Sequence, residues 1–232
     1  MPKMLSKIKH ALTLLGTFVP GKTVEDLNKG LNYLAVGRWM KENHYATNHR
    51  LPCRERIFDR IAKDVADQRV LYLEFGVFDG RATRYWSKLL RHPDSHLHGF
   101  DSFEGLPESW AGTDRGKGYF STNGAIPQID DARVRFFKGW FQDTLPTYQA
   151  PPHDVLIINF DADLYSSTAY VLSQLRDLIV SGTYIYFDEF NHRFDELRAF
   201  DEFIRETGIK FSLVGATKTL EYVAFRSPVA AP

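Results

Sequence analysis

Two acidic residues accompany a glycine-rich turn in the first half of the chain. Glu74 opens the run Glu74-Phe-Gly-Val-Phe-Asp-Gly80, and Asp101 ends the later segment His98-Gly-Phe-Asp101. Because glycine has no Cβ, Gly76 and Gly80 let the backbone turn tightly and approach a ligand closely. A helix after Gly80 would direct its free N–H groups at that turn, and an acid ending the next strand can accept hydrogen bonds from ribose hydroxyls. The pattern predicts a nucleoside-binding crevice at the carboxyl ends of parallel strands.

The spacing indicates which nucleoside. The dinucleotide fingerprint G-x-G-x-x-G frees the backbone to wrap a pyrophosphate, whereas here Glu74 lies two residues before Gly76 and three residues separate Gly76 from Gly80. A carboxylate in the crevice repels phosphates but accepts hydrogen bonds from an ammonium group. This favours a cofactor with a cationic end and no pyrophosphate, such as S-adenosylmethionine. The alternative is a plain strand–turn–helix connection.

A second acidic cluster follows two later apolar runs. Asp161 and Asp163 follow the first run, and Asp188 and Glu189 follow the second. If these runs are neighbouring parallel strands, the carboxylates converge on one crevice and repel one another unless a cation lies between them. Oxygen ligands suit Mg²⁺, Ca²⁺ or Mn²⁺, and such an ion could lower the pKa of a substrate hydroxyl. Alternatively, Asp163 caps the next helix and Asp188 accepts bonds from loop amides.

Three residues are candidates for removing a proton from a substrate. Asp161 and Asp163 lie at the end of the predicted strand, and Asp161 is nearer to it. His192 lies just beyond the second acidic pair and could serve as a base, although an isolated surface histidine is the alternative.

These residues require an alternating framework of strands and helices, which is typical of a parallel sheet with right-handed crossovers. The sequence predicts strands at Val70–Phe75, His96–Asp101, Val134–Lys138, Val155–Phe160 and Thr183–Phe187, helices at Arg81–Leu90, Leu164–Val180 and Phe194–Thr207, and a closing hairpin from Ile209–Val214 and Glu221–Phe225.

Two further segments flank this framework. The N-terminal leader predicts an amphipathic helix and a second helix from Val24 to about Glu42, with Thr23 as its N-cap. The glycine-rich stretch from Phe103 to Asp131 predicts a long loop of the kind that forms a lid.

Composition limits the class of protein. The formal net charge is zero, so no basic field indicates nucleic-acid binding. The single cysteine indicates a reducing compartment, and the apolar N-terminal run is too short to span a bilayer. We expect a cytoplasmic enzyme without a transmembrane segment, and the sequence is compatible with a homo-oligomer.

Five segments together resemble the macrocin O-methyltransferase family, a group of class I S-adenosylmethionine-dependent enzymes that includes methyltransferases of sugar hydroxyls. The resemblance covers roughly residues 70–225. Its motifs are Glu74 to Gly80, Gly99-Phe-Asp-Ser-Phe-Glu-Gly-Leu-Pro107, Gly139-Trp-Phe-x-Asp-Thr-Leu-Pro146, Asp161-Ala-Asp-Leu-Tyr-Ser-Ser-Thr168 and Asp188-Glu189-Phe190.

The resemblance implies an α/β, Rossmann-like fold with a seven-stranded, mostly parallel sheet, a C-terminal antiparallel hairpin and an N-terminal helical extension. It implies a helical extension or cap over residues 1–66 and a class I methyltransferase domain over residues 67–232. The acceptor would be a small molecule or glycan with vicinal hydroxyls.

The resemblance also implies roles for individual residues. A Mg²⁺ site would be formed by Asp161, Asp188 and Glu189, although the family commonly has two aspartates where this chain has Asp188-Glu189. Glu74 and Gly76 would face the methionine portion, Asp101 the ribose and Ser102 the adenine. The expected cofactor-binding residues are Glu74, Gly76, Val77, Phe78, Gly80, Thr83, Asp101, Ser102, Trp140 and Phe141.

Two other functions remain open from the sequence. Asp161-x-Asp163 is also the D-x-D pattern with which sugar-nucleotide glycosyltransferases hold Mn²⁺, but the glycine turn and Asp101 would then have no role. A non-catalytic S-adenosylmethionine-binding protein is the other alternative, although binding alone would not need the second acidic cluster.

Overall fold

The computed structural model describes residues 2–45 and 50–228. In these residues the helices are α1 (Pro2–Gly16), α2 (Gly21–Glu42), α3 (Arg54–Val65), α4 (Arg81–Leu89), α5 (Phe141–Thr144), α6 (Tyr165–Gln174) and α7 (Glu196–Thr207). The strands are β1 (Arg50–Leu51), β2 (Val70–Phe75), β3 (His96–Asp101), β4 (Val134–Lys138), β5 (Val155–Phe160), β6 (Tyr184–Phe187), β7 (Ser212–Thr217) and β8 (Val223–Arg226).

One mixed sheet of eight strands organises these elements, in the order β1-β7-β8-β6-β5-β2-β3-β4. Strand β8 runs antiparallel to both of its neighbours, while the other pairs are parallel. The Rossmann-like class agrees with the sequence prediction. A closing antiparallel hairpin is also present, but its strands are Ser212–Thr217 and Val223–Arg226 and not the predicted Ile209–Val214 and Glu221–Phe225. The predicted count of seven strands was wrong, because the two-residue strand β1 adds to the edge at β7. So short a strand carries no periodic signal in the sequence.

The central strands are mostly apolar and buried because helices cover both faces of the sheet. All six residues of β2 are buried, and so are the last five of β5. Chain order reverses between β2 and β5: β3 and β4 lie on one side of β2, and β5 and β6 lie on the other. A reversal of this kind opens a crevice at the carboxyl ends of the strands.

Helix α3 packs one face against the sheet. Its apolar residues Ile57, Phe58, Ile61 and Val65 recur at helical spacing and are almost completely buried. They join the cluster that contains Tyr72, Trp86 and Tyr186. This packing fixes the N-terminal turn of α3 at the edge of the crevice. The division of the chain at residue 66 stays a prediction.

The N-terminal helices are largely exposed. Among the described side chains of α1 every residue is exposed, and α2 buries Val36, Trp39 and Met40 near its C-terminal end. Thr23 is not the N-cap of α2, since the carbonyl of Pro20 already accepts bonds from the N–H groups of Thr23 and Val24. The helix therefore begins at Gly21. No described helix is long and apolar enough to cross a membrane.

Residues 102–133 form a long connection between β3 and β4 without helix or strand, as the sequence predicted. We call this segment the lid loop. Trp110 is 1% exposed and packs with Leu106 and Leu164. Its Nε1 donates a hydrogen bond to Asp195 Oδ2 at 2.9 Å. The lid loop is therefore attached to the segment that leads into α7.

Candidate active site

A crevice of about 440 Å³ lies at the carboxyl ends of the central strands. The end of β2 and the turn after it form one wall, and the ends of β5 and β6 form another. The lid loop contributes Ser102, Leu106, Arg115 and Phe120, and α3 contributes Arg54. The crevice lies at the reversal of strand order, where α/β sheets bind their ligands.

Gly76 is required where the two walls meet. Its φ is +89°, and a Cβ at this position would lie 1.8 Å from the carbonyl oxygen of Asp161. Any other residue would both strain the backbone and collide with the end of β5. The glycine therefore serves the close approach of two loops as well as any ligand. Asp161 is brought beside the glycine turn by the same contact.

Glu74 is a buried acid at the end of β2, only 1% exposed. Tyr72 Oη donates a hydrogen bond to its Oε2 at 2.9 Å, and Thr83 Oγ1 donates to the same oxygen at 2.5 Å. Burial raises the pKa of Glu74 to about 7, although these two bonds oppose the shift. Among the described residues, none hydrogen-bonds Oε1, so this oxygen is available to the crevice that Glu74 lines.

Asp101 joins the glycine turn to the start of the lid loop. Its Oδ2 accepts bonds from the N–H groups of Val77 at 2.7 Å and Phe78 at 2.9 Å, and its Oδ1 accepts one from Phe103 at 2.7 Å. The φ angles of Phe78 and Phe103 are +51° and +60°, an uncommon conformation for non-glycine residues. The carboxylate therefore holds two strained loops in addition to any contact with a ribose.

Arg54 lies between two carboxylates on the opposite wall. Its Nη1 is 3.1 Å from Asp188 Oδ1 and 3.7 Å from Asp161 Oδ2. Tyr186 Oη donates a hydrogen bond to Asp188 Oδ1 at 2.7 Å. Burial by itself lowers the pKa of Arg54, but the neighbouring charges of Asp188 and Asp161 outweigh it and raise that pKa overall. The guanidinium is the cation between these carboxylates.

Glu189 faces a different cation, from the lid loop. Its Oε1 is 3.8 Å from Arg115 Nη1, and its Oε2 is 3.8 Å from His192 Nε2. Burial raises the pKa of Glu189 to about 7, and the charge of Asp188 adds to the shift. Arg115 also stacks on the rings of Trp110 and Phe120, at 4.8 and 5.2 Å from their centroids. The carboxylates of Asp161, Asp163, Asp188 and Glu189 form what we call the acidic wall. The contact between Arg115 and Glu189 thus joins the lid loop to this wall by opposite charges.

Asp163 is the acid of this cluster that lacks a partner. It is 7% exposed, and no residue in the described ranges hydrogen-bonds its carboxyl group. Burial raises the pKa of Asp163 to about 8, with a further contribution from Glu189. Its φ is +60°, and strain of this kind in a non-glycine residue accumulates at functional sites. Asp163 does not cap α6, whose N-cap residue is Leu164.

The three predicted metal ligands do not converge. Asp161 and Asp188 turn to Arg54, whereas Glu189 turns to Arg115 and His192. Within residues 2–45 and 50–228, no group of three or more His, Cys, Asp and Glu side chains could hold a metal ion. The arrangement therefore does not fit a bound Mg²⁺.

Most of the predicted site residues line one crevice. They are Glu74, Gly76, Val77, Phe78, Asp101, Ser102, Trp140, Phe141, Asp161, Asp163, Asp188 and Glu189. Gly80, Thr83 and His192 are not among the lining residues. Thr83 instead holds Glu74, and Gly80 has a φ of +77° at the start of α4.

Sequence reasoning missed the two arginines that bind the acidic wall. Arg54 lies in the predicted N-terminal extension (residues 1–66) and Arg115 lies in the lid loop. Neither residue is part of a recognisable motif. The available signal was indirect: several carboxylates predicted to share one crevice need a cation. The sequence analysis assigned the role of this cation to a metal ion and did not consider an arginine.

The sequence profile of the macrocin O-methyltransferase (TylF) family matches residues 46–223. The chain belongs to this family. The match includes the glycine turn, the lid loop and both acidic pairs, and it confirms the resemblance inferred from the motifs. It begins before α3, so the helix that carries Arg54 lies within the family's region.

Individual relatives agree with this assignment. The 8-demethyl-8-(2,3-dimethoxy-alpha-L-rhamnosyl)-tetracenomycin-C 4'-O-methyltransferase of Streptomyces olivaceus is 34% identical over 137 residues, which cover 51% of this chain and 52% of that protein. The demethyldecarbamoylnovobiocin O-methyltransferase of Streptomyces niveus is 31% identical over 157 residues, covering 59% and 58%. The matched region thus spans little more than half the length of these curated relatives.

Solved structures support the fold. The O-methyltransferase NovP superposes with a TM-score of 0.54 at 27% identity, covering 75% of this chain and 77% of that chain. The calicheamicin methyltransferase CalS11 superposes with a TM-score of 0.55 at 19% identity, covering 95% and 91%. At that identity the second likeness concerns the fold alone.

Proposed function

We propose that this protein is an S-adenosylmethionine-dependent O-methyltransferase that acts on a hydroxyl of a sugar or polyol-containing acceptor. Family membership supports the reaction class. The observation that carries the proposal for this chain is Asp163, an unpaired buried acid with a pKa raised to about 8 inside the crevice. A general base works best when its pKa lies near the working pH.

The first wall suits the cofactor. Glu74 presents Oε1 to the crevice and would accept a bond from the ammonium of the methionine portion. Asp101 has one lone pair left on Oδ1 for a ribose hydroxyl, while Trp140 and Phe141 line the crevice near the end of β4. When bound, S-adenosylmethionine supplies an electrophilic methyl group on a sulfonium. Van der Waals contact of Phe141 with Phe75, at 5.5 Å between centroids, places it partly in the core.

The second wall suits the acceptor. The acceptor oxygen would attack the methyl carbon as the carbon–sulfur bond breaks, and its proton would pass to the carboxylate of Asp163. Alignment and an activated oxygen are the main requirements of such a displacement. Asp161 is a weaker candidate for the base because Arg54 already engages it, and His192 lies outside the lining of the crevice.

The acceptor class is proposed from relatives and from the lid loop. One relative methylates a rhamnosyl group, as its name states. The lid loop contributes the aromatic ring of Phe120 to the lining of the crevice, and an aromatic ring can pack on the apolar face of a sugar. The fixed charges of the wall are partly balanced by Arg54 and Arg115, so we expect an uncharged acceptor. The Mg²⁺ assistance expected from the resemblance is not part of this proposal, because Asp161 and Asp188 engage Arg54 and Glu189 faces Arg115.

The test is transfer of a labelled methyl group from S-adenosylmethionine to a panel of rhamnosides and related glycosides. We expect methylated sugar with the wild-type chain and a strongly reduced rate with Asp163→Asn. The matched control is Asp154→Asn, an exposed acid that pairs with Arg69 at the other end of β5.

Three results would contradict the proposal. The first is full activity in Asp163→Asn, which would remove Asp163 as the base. The second is binding of a sugar nucleotide in place of S-adenosylmethionine, which would favour the glycosyltransferase alternative. Binding of S-adenosylmethionine without turnover on any acceptor in the panel would point to the non-catalytic alternative.

A further inference from the structure

Arg54 is placed at the acidic wall by the packing of α3, not by a flexible contact. Phe58, one turn after Arg54, packs on the ring of Tyr186 with 4.8 Å between centroids. Two residues further along the chain, Asp188 receives Nη1 of Arg54 at 3.1 Å. Phe58 and Arg54, four residues apart on one face of α3, thus contact Tyr186 in β6 and Asp188 just after it, so the position of α3 against β6 determines where the guanidinium lies.

The surroundings of Arg54 are those of an internal ion pair. Its side chain is 16% exposed, and that of Asp188 is 12% exposed. Asp188 also accepts the Tyr186 hydroxyl bond. A carboxylate pair in such a place requires a positive charge, because charges are weakly screened away from bulk water. The guanidinium meets this requirement from within the chain.

We propose that Arg54 is the resident cation of the Asp161 and Asp188 pair in the working protein, so that a divalent ion can reach this pair only by displacing it. The inference concerns the same crevice as the proposed function and rests on that assignment for its place in catalysis. Arg54 is a positioning residue here: it holds the two carboxylates and leaves Asp163 as the unpaired acid.

The proposal has a consequence that separates it from a metal site of the usual kind. Divalent ions should bind weakly to the wild-type chain, since a guanidinium already contacts two of the three predicted ligands. The third predicted ligand, Glu189, is turned toward Arg115. Removal of the Arg54 charge should create a site for a divalent ion.

The experiment is a titration of the full-length chain with Mn²⁺. Binding is measured by calorimetry and by the electron paramagnetic resonance signal of the free Mn²⁺. The variants are Arg54→Gln, which removes the charge and keeps a hydrogen-bond donor, Arg54→Met, which removes both, and Arg54→Lys, which keeps the charge. Arg56→Met is the matched control, because Arg56 lies on the same helix, is 66% exposed and pairs with Asp59.

We expect Mn²⁺ to bind Arg54→Gln and Arg54→Met at least tenfold more tightly than it binds the wild type, Arg54→Lys and Arg56→Met. Addition of Mg²⁺ should raise the Tm of the two neutral variants more than that of the wild type. If Arg54→Met does not fold, the comparison of Arg54→Gln with Arg54→Lys decides the matter.

The proposal is overturned if the wild type binds Mn²⁺ with a micromolar Kd, or if the neutral variants bind it no more tightly than the wild type. Binding of S-adenosylmethionine is measured on the same samples without metal. If the wild type does not bind S-adenosylmethionine, the result counts against the proposed function. The comparison of Mn²⁺ affinities would still decide the role of Arg54.

Discussion

The two walls of the crevice obtain their structure in different ways. In the wall built from β2 and β3, polar groups are held by residues at most 24 positions away: Glu74 by Tyr72 and Thr83, and Asp101 by the amides of Val77, Phe78 and Phe103. In the wall built from β5 and β6, charged groups are held by distant segments. Arg54 reaches Asp188 across 134 positions of sequence, and Arg115 reaches Glu189 from the lid loop.

This difference indicates a division of labour. The first wall has its hydrogen bonds arranged before any ligand arrives, which suits recognition of a cofactor of constant shape. The second wall is closed by charges on α3 and the lid loop, which suits an acceptor that differs among relatives. Changes in the first wall should therefore alter cofactor affinity, and changes in the second should alter turnover or acceptor affinity.

Asp163→Asn should have the largest effect on the rate of methyl transfer. If it altered cofactor binding instead, the proposed difference between the two walls would be wrong. Removal of a positioned general base lowers the rate by about 10²–10⁴-fold, so we expect a loss of that order in kcat. Because the base must be ionised, kcat/KM of the wild type should rise with pH through about 8. Initial rates over pH 6–10 measure both effects, and a flat profile would argue against Asp163.

Asp101→Ala should weaken S-adenosylmethionine binding by about 10–100-fold, since hydrogen bonds to charged groups contribute roughly 1.5–3 kcal/mol. The three amides that Asp101 holds would also lose their acceptor, so Tm should fall as well. Calorimetry and thermal unfolding measure the two effects. Asp143→Ala, an exposed acid on α5, is the control. An unchanged Kd in a folded Asp101→Ala variant would remove Asp101 from the cofactor site.

The two walls also differ in how well they could be predicted from the sequence. The β2 and β3 wall was predictable because Glu74 and Gly76 lie in one short motif and Asp101 ends the next predicted strand, and both strands are recognisable as apolar runs in the sequence. The contacts of Arg54 were not, because they depend on how α3 packs on β6. The eighth strand was missed for a similar reason: residues 50–51 pair with β7 only once the sheet has formed.

The unliganded protein should become less stable as pH rises from about 4.5 to 7. The folded-state pKa of Glu74 is about 7, against an ordinary value of 4.5. Between these values the unfolded chain has lost the proton that the folded chain keeps, so stability falls as pH rises. Thermal unfolding should show a lower Tm at the higher pH. Glu74→Gln should reduce this slope without removing it, because burial also raises the pKa values of Glu189 and Asp163. A Tm that rises over this range in the wild type would contradict the buried, protonated state of Glu74.

Trp110→Phe should have the smallest effect on activity, and it tests which wall of the crevice the lid loop serves. The change removes the bond from Nε1 to Asp195 and keeps most of the buried ring, at a cost of about 1 kcal/mol. We expect KM for the acceptor to rise a few-fold while the Kd of S-adenosylmethionine stays constant. A change confined to cofactor affinity would assign the lid loop to the other wall.

The most direct test of the account compares one residue from each wall by calorimetric titration with S-adenosylmethionine. We predict that the wild type binds this cofactor, that Glu74→Gln weakens the Kd at least tenfold, and that Asp163→Asn leaves it within about threefold. Absence of binding by the wild type, or equal losses in the two variants, would contradict the assignment of the crevice and of its two walls.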